Sequence, residues 1–387
     1  MQPSVVVSPK GEQRLRGGHL WVYRSDLADV RAERGDVVAV TARNGRLVGR
    51  AIYSDRSQIA IRLLTRDDRA VDEGFWRERL EAAIAFRRRL AIDATAYRLV
   101  HAEGDLLPSL VVDRYGEVLV VQALSQGIDR ALPAIVAALV ELCAPSGILA
   151  RHDARARELE GLERKVEVLH GEVPATIVVR EGAVELEVDP WKGQKTGLFL
   201  DQRENHAAAR AFASGRLLDC FSYAGGFALQ LARGTSKALA IDISEETVAR
   251  LARNAARNGI ANVEARVANA FDFLREAERR GDRFDTIVLD PPAFARTRAS
   301  LPKALAGYKE LNLRALRILA PGGALATCSC SYHVGEELFA RMLEDAAADA
   351  HATMSVIERR GQSRDHPVLL GVPETGYLKC FVLRKLG

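Results

Sequence analysis

Cysteine is scarce and odd in number: Cys143, Cys220, Cys328, Cys330 and Cys380 are the five in 387 residues, and no two form a Cys-x-x-Cys pair. That usage offers no disulfide framework and suits a reduced compartment, in which any special thiol is chemical rather than structural. Cys328 and Cys330 are close enough in sequence to share a metal, but no matching cysteine or histidine set accompanies them, so no metal is expected. Long apolar runs are missing too. Nothing approaches the roughly 20 residues of a membrane span. The N-terminal MQPSVVVSPKGEQ lacks the apolar heart of a signal peptide, so a cytoplasmic protein is expected. Internal repeats and low-complexity tracts are absent as well.

What is present describes a globular chain, with 48% hydrophobic residues and enough length for two or three domains. The charge is unevenly spread. Residues 1–69 hold 13 Lys+Arg against 8 Asp+Glu, a net of +5, whereas the whole chain is only +4, so the remainder sums to −1. A basic module ahead of a near-neutral body suggests a polyanion-binding appendage, although a solvated charged face accounts for the charge equally well. His19, Trp21 and Tyr23 interleave with Arg14, Arg16 and Arg24. Rings beside cations favour RNA, whose exposed bases stack on them, so Arg14, Arg16, His19, Trp21 and Arg24 are candidate RNA contacts.

Along the chain, SVVVS, GDVVAVTA, RLVGRAIYS and QIAIRLLT read as short strands, with a hairpin signal at Asn44-Gly45, and predict a small β-barrel over residues 1–70. Residues 73–92 carry Trp76, Leu80, Ile84 and Leu90 at helical spacing, with Arg87-Arg88-Arg89 expected on the wet face. LPSLVVDRYGEVLVVQAL predicts a hairpin turning at Asp113 to Gly116, a helix follows over 129–142, and ATIVVREG and AVELEVDP read as strands. His101, Glu103 and Asp105 are expected as ordinary loop polars. This α+β middle, residues 71–182, offers few catalytic groups.

From Glu185 strands and helices alternate, the mark of a parallel sheet covered on both faces. Strands are predicted at 216–222, 237–243, 263–269, 284–290, 323–330, 354–359 and 377–384, the last antiparallel at the edge. The clearest helix, 244–258, starts at Ser244 as N-cap.

Four strand ends in this α/β region carry polar residues where open sheets bind ligands. The first has Asp219, then Phe221, Ser222, Tyr223, Gly225 and Gly226, a turn leading into a helix start. Paired glycines admit close backbone approach and the helix supplies free N–H groups, although plain turn chemistry also uses such pairs. Asp242 ends the second strand 17 residues after Gly225, with Ile243 next to it; an acid there is placed to accept from ribose hydroxyls. Asn269, followed by Ala270, ends the third, where an amide suits an adenine edge. Asp290-Pro291-Pro292-Ala293-Phe294 ends the fourth. Together they describe an adenosine-containing cofactor. SYAGGFAL lacks Gly-x-Gly-x-x-Gly, which disfavours a dinucleotide. S-adenosylmethionine (SAM), with no pyrophosphate, needs only a looser glycine turn.

RLRGGHLWVYRSD followed by GDVVAV resembles the PUA domain, an RNA-binding module. LLDCFSYAGGFAL, AIDISEETVARLARNAARNG, FDTIVLDPPAF, TCSCS and KTGLFLDQRENH resemble the PUA-containing family of SAM-dependent 23S ribosomal RNA methyltransferases, over essentially the whole chain. That resemblance implies a class I SAM methyltransferase, Rossmann-like with a seven-stranded sheet over residues 183–387, SAM as donor, 5-methylcytosine in large-subunit rRNA as product, and a TCSCS cysteine as nucleophile. Lys195 to His206 would line the approach to the cofactor, unless they form a plain hairpin and capped helix. A homodimer is left open.

The implied chemistry suits these residues. Cytosine C5 is a poor nucleophile until a thiolate adds at C6, which splits one hard step into easier ones. Cys330, ending the fifth strand, would supply the thiolate, and Asp290 would hydrogen-bond the base edge. A target base in a duplex would first be extruded. The chain departs from well-known RNA cytosine-C5 enzymes in having no second cysteine beside Asp290-Pro-Pro. Asp-Pro-Pro-aromatic also resembles amino-group methyltransferases, which need no thiol, and a buried inert cysteine is the plain alternative for Cys330. Methylation of a purine at N7 or an exocyclic amine, and a non-catalytic RNA-binding assembly factor, are the competing functions.

Overall fold

The computed structural model describes residues 2–295 and 297–386. The N-terminal strands are β1 (Ser4–Val7), β2 (Trp21–Tyr23), β3 (Leu27–Arg31), β4 (Val37–Ala42), β5 (Leu47–Tyr53) and β6 (Ile59–Thr65), with helix α1 (Pro9–Arg16) between the first two. They form one mixed sheet in the order β2-β6-β5-β4-β1-β3. Valine- and isoleucine-rich runs alternate in burial along β4 (Val38, Val40 and Ala42 inward), so the sheet curls round a core of its own with Val5, Val22 and Ile61. Helix α1, absent from the strand-based reading, is capped by Ser8, whose hydroxyl accepts from Gly11 N.

Next come α2 (Glu73–Arg89), α3 (Gln126–Cys143), the short α4 (Ala156–Leu159) and a five-stranded sheet in the order β11-β10-β9-β8-β7. Its strands are β7 (Ala96–His101), β8 (Leu110–Tyr115), β9 (Val118–Ala123), β10 (Gly147–His152) and β11 (Lys165–Gly171). Strands β7, β10 and β11 were not foreseen. The expected hairpin is present, but it turns at Gly116-Glu117; Asp113 and Tyr115 stay in β8, because the buried Asp113 carboxylate takes both arms of Arg98 and the Thr196 hydroxyl.

Three titratable side chains of this region are inside, against expectation. Arg87 continues the buried stripe Leu80, Ala83, Ile84 of α2, pairs with Asp105, and donates to the carbonyls of Arg98 and Asp365. Only Arg88 and Arg89 are exposed. His101 and Glu103 are likewise buried; burial and the Arg98 charge hold the His101 imidazole neutral, well below its ordinary range.

The chain falls into two compact units. The first comprises residues 2–179 with 188–198 and 364–375; the second comprises 180–187, 199–363 and 376–386. A hairpin, β12 (Ile177–Glu181) and β13 (Val184–Val188), leads into the second. There β14 (Arg216–Cys220), β15 (Lys237–Asp242), β16 (Val263–Val267), β17 (Phe284–Leu289), β18 (Leu319–Ser329), β19 (Met354–Arg360) and β20 (Lys379–Lys385) form a sheet in the order β16-β15-β14-β17-β18-β20-β19. The reversal between β15 and β17 about β14 creates the switch point at which ligands bind. The antiparallel strand is β20, as expected, but it lies one place in from the edge, inserted between β18 and β19.

Helices α5 (Arg203–Arg210), α6 (Gly226–Ala232), α7 (Glu245–Arg257), α8 (Ala270–Arg280), α9 (Leu301–Ile318) and α10 (Glu336–Asp349) accompany this sheet. Ser244 caps α7 by accepting from Thr247 N. The largest core, with Ile287, Leu289, Tyr308, Leu325 and Phe339, belongs to this unit. No helix among the described residues is long and apolar enough to cross a membrane.

Candidate functional site

The carboxyl ends of β14, β15, β17 and β18 bring the expected polar residues to one edge of the sheet. After β14 the backbone is forced: Phe221, Tyr223 and Gly225 have φ of 65°, 47° and 95°. Two non-glycine residues in the left-handed region within three positions are a costly arrangement, of about 1–3 kcal/mol each, which persists where surroundings over-determine it, as at ligand sites. Ser222 fixes the turn through its N–H and hydroxyl, both donated to Ile241 O at 3.1 Å. Asp242 holds it from the other side, accepting from Tyr223 N and Ser244 N, each at 3.0 Å.

Gly226 opens α6 with no room for a side chain. A Cβ there would stand 2.6 Å from His206 Cε1. His206 is pinned in turn by Glu181, whose carboxylate lies 2.7 Å from Nδ1, and its ring packs on Phe227. The histidine of KTGLFLDQRENH therefore braces the glycine turn. We expect Gly226→Ala to weaken SAM binding about tenfold, since overpacking a filled site costs roughly 1–3 kcal/mol. Adding His206→Ala should restore most of that affinity in calorimetric titration, and no relief in the double variant would refute the steric account.

Asp219 is buried and accepts from Ala228 N at 2.9 Å. Burial first, then the Asp290 and Asp242 charges, push its carboxyl well above the usual range. Ile243 is 71% exposed beside Asp242. An apolar side chain left open next to a strand-end carboxylate offers one surface to a base and one acceptor to a ribose.

Asn269 departs from the expectation. Its side-chain oxygen caps α8, accepting from Phe271 N and Asp272 N, so that oxygen is committed to the helix and not to an adenine edge. Ala270 is buried as the first residue of that helix.

Asp290 follows β17, and its carboxylate accepts from Gln202 Nε2 at 2.8 Å. Asn205 Nδ2 donates to Gln202 Oε1, and Arg360 Nε donates to Asn205 Oδ1. No local feature around Gln202, Asn205 or Arg360 points to this amide chain ending on Asp290. Cys330 lies one residue past β18, half-buried, its thiol 4.0 Å from Pro291 O. Cys328, two residues earlier, is fully buried opposite Cys380 in the β18–β20 register; burial raises its pKa well above that of a free thiol. Ser331 locks the turn after Cys330, its hydroxyl 2.9 Å from Tyr308 OH and accepting from Ala295 N.

In the first unit, the expected RNA contacts are largely spoken for. His19 is buried, its Nδ1 accepting from Trp21 N and its Nε2 3.2 Å from Glu374. Trp21 Nε1 donates to Glu103, Arg24 to the carbonyls of Ser54 and Ser57, and Arg14 stacks on Tyr23. Arg16 is exposed, 3.9 Å from Glu12.

A mostly parallel seven-stranded sheet with a strained glycine turn and acids at its switch point is the frame of a class I methyltransferase, and the chain belongs to the S-adenosylmethionine-dependent methyltransferase family. The description of that family matches residues 97–384, and a PUA-like domain matches residues 5–66. More particularly, it is 40% identical over 394 residues to Ribosomal RNA large subunit methyltransferase I of Shewanella amazonensis, covering 99% of this chain and 100% of that protein. It is 38% identical over 397 residues to the protein of the same name from Tolumonas auensis, covering all of both.

Two solved structures share the fold at 21% identity, each covering 99% of this chain and 100% of that one. One is described as a SAM-dependent methyltransferase from Streptococcus mutans (TM-score 0.84); the other is described as a methyltransferase complexed with SAH (TM-score 0.85).

SAM is the cofactor, and the residues present fit it. The Phe221–Gly226 turn, with Ser222, Tyr223 and Gly225, would pass its amino-acid part, and Asp242 with Ile243 would hold its nucleoside.

Proposed function

We propose that this protein methylates C5 of a cytosine in large-subunit (23S) ribosomal RNA through a covalent bond between Cys330 and C6. The names of its relatives support the RNA class. One observation supports the choice of base: the half-buried Cys330 thiol stands 4.0 Å from the carbonyl of Pro291, the residue after Asp290, while its strand neighbour Cys328 is sealed in the core. Methylating an exocyclic amine or N7 would give a thiol there nothing to do.

SAM, when bound, offers an electrophilic methyl group. The chain's part is to make C5 able to take it. The Cys330 thiolate donates an electron pair to C6, the S–C6 bond forms, and the ring becomes nucleophilic at C5. Asp290, held by Gln202, is placed to hydrogen-bond the base edge. Once C5 carries the methyl group, water takes its proton, the C5–H electron pair re-forms the C5–C6 double bond, and the S–C6 bond breaks to release the thiolate.

The modules divide this work as residues 1–70, 71–182 and 183–387. The first has a core of its own around Val22 and Ile61, while the cluster around Leu80 and Val121 in the second also takes in Ile52 and Leu64 of the first. We assign RNA binding to the first, with Arg16 as the exposed cation among the residues singled out.

RNA carrying 5-fluorocytosine tests the base and the bond together. Fluorine cannot leave C5 as a cation, so the adduct stays. We expect a denaturation-stable protein–RNA complex with the wild type and SAM, and none with Cys330→Ala. A methylated purine nucleoside with no trapped complex would instead establish the amino-group or N7 reading.

A further inference from the structure

Lys379 opens β20 and is only 8% exposed. A buried ammonium is costly unless paired, yet among the described residues Lys379 forms no ion pair with a carboxylate. Its Nζ donates to two carbonyls, Ser331 O at 2.7 Å and Tyr377 O at 2.8 Å. Ser331 directly follows Cys330, and the β18–β20 register sets Lys379 opposite Ser329, directly before it. The amine is thus tied to the turn that carries the thiol. Burial draws its pKa down to about 8, and Cys330 is the charged neighbour that pulls the other way.

The other titratable groups packed around this turn do not replace Cys330 as a partner. Tyr308 on α9 is bonded to Ser331 and is pushed up by burial. Cys328 on β18 and Cys380 on β20 face each other in the core, and Asp290 after β17 accepts from Gln202.

We infer that Lys379 is the counter-ion of the Cys330 thiolate, holding the sulfur charged in the cleft. The S–H bond breaks and its proton passes to water, while Lys379 stays an ammonium throughout. The buried cation thereby gains an anion beside it, and the two charges offset each other. A cation beside a cysteine lowers its pKa in this way. Lys379 is a positioning residue that acts through Cys330, and the inference rests on reading Cys330 as the nucleophile.

The test uses the full chain without RNA or cofactor. Cys330 is alkylated with iodoacetamide across a pH series, and its modification is followed on its own peptide by mass spectrometry. In the wild type the rate should titrate below the ordinary thiol value of about 8.5. Lys379→Met should slow alkylation near neutral pH about tenfold, the effect of about one pKa unit, whereas Lys379→Arg, which keeps the charge, should stay within about threefold of the wild type. The same digest reports folding, because Cys328 and Cys380 react only if the core opens.

A wild-type profile at or above the ordinary thiol value overturns the inference whether or not the variants fold, as does an unchanged rate in a folded Lys379→Met. The two readings fail separately. Cys330→Ala that still methylates RNA removes the nucleophile reading, while an activated Cys330 insensitive to Lys379 removes only the counter-ion.

Discussion

Cys330→Ala should lower methyl transfer to large-subunit rRNA by about 10³-fold or more while leaving SAM affinity at the wild-type level. The size follows from the role proposed for the sulfur: without addition at C6 there would be no nucleophilic carbon for the methyl group, and deleting the atom that forms the covalent bond would remove a whole pathway. Cofactor affinity is spared because Cys330 lies past β18, against Pro291, and not in the turn between Phe221 and Gly226. Single-turnover transfer from tritiated SAM, with the product digested to nucleosides, reads the first quantity, and calorimetry reads the second. Label in 5-methylcytidine from the wild type alone supports the proposal. Undiminished label from the variant would make the thiol structural.

Asp242→Ala should act on the other quantity, weakening SAM binding by about 100-fold, or about 2.7 kcal/mol. Its carboxylate accepts from two backbone N–H groups, Tyr223 and Ser244, at 3.0 Å each. Hydrogen bonds to a charged acceptor are worth about 1.5–3 kcal/mol, and the stranded donors add their own penalty. The loss would fall on a turn already strained at Phe221 and Tyr223, so the nucleoside would lose both its acceptor and its pre-formed cradle. Asp242→Asn should recover about half the loss, because its one carbonyl oxygen can serve only one of the two N–H groups. An Asp242→Ala protein that binds SAH as tightly as the wild type would show that the cofactor does not depend on this acid.

Much of this was legible in the chain before any coordinates. The seven strands of the second unit begin and end within a few residues of the runs that predicted them; for the inner strands the reason is that a strand buried on both faces must be a continuous apolar stretch. Asp242 and Asp290 stand at strand ends because the run stops there. Ser244 announced α7 because capping depends on a residue's own side chain and the N–H three positions on. Glycines 225 and 226 marked the turn because few other residues tolerate the space and angles it imposes.

The sequence by itself determined what is local: which segments are strands or helices, where the turn needs glycine, and which strand ends carry acids. Tertiary structure alone decided partners across long separations in the chain. Arg87 looked like one of three solvent-facing cations, yet Asp105 and two carbonyls made its burial tolerable. Asn269 spent its oxygen on α8, and His19 turned inward to Glu374. His206, Gln202 and Lys379 reached Gly226, Asp290 and the Cys330 turn from elsewhere in the fold. A polar side chain's role is set by the charge and hydrogen-bonding groups that meet it, and nothing in its own neighbourhood of the sequence names them.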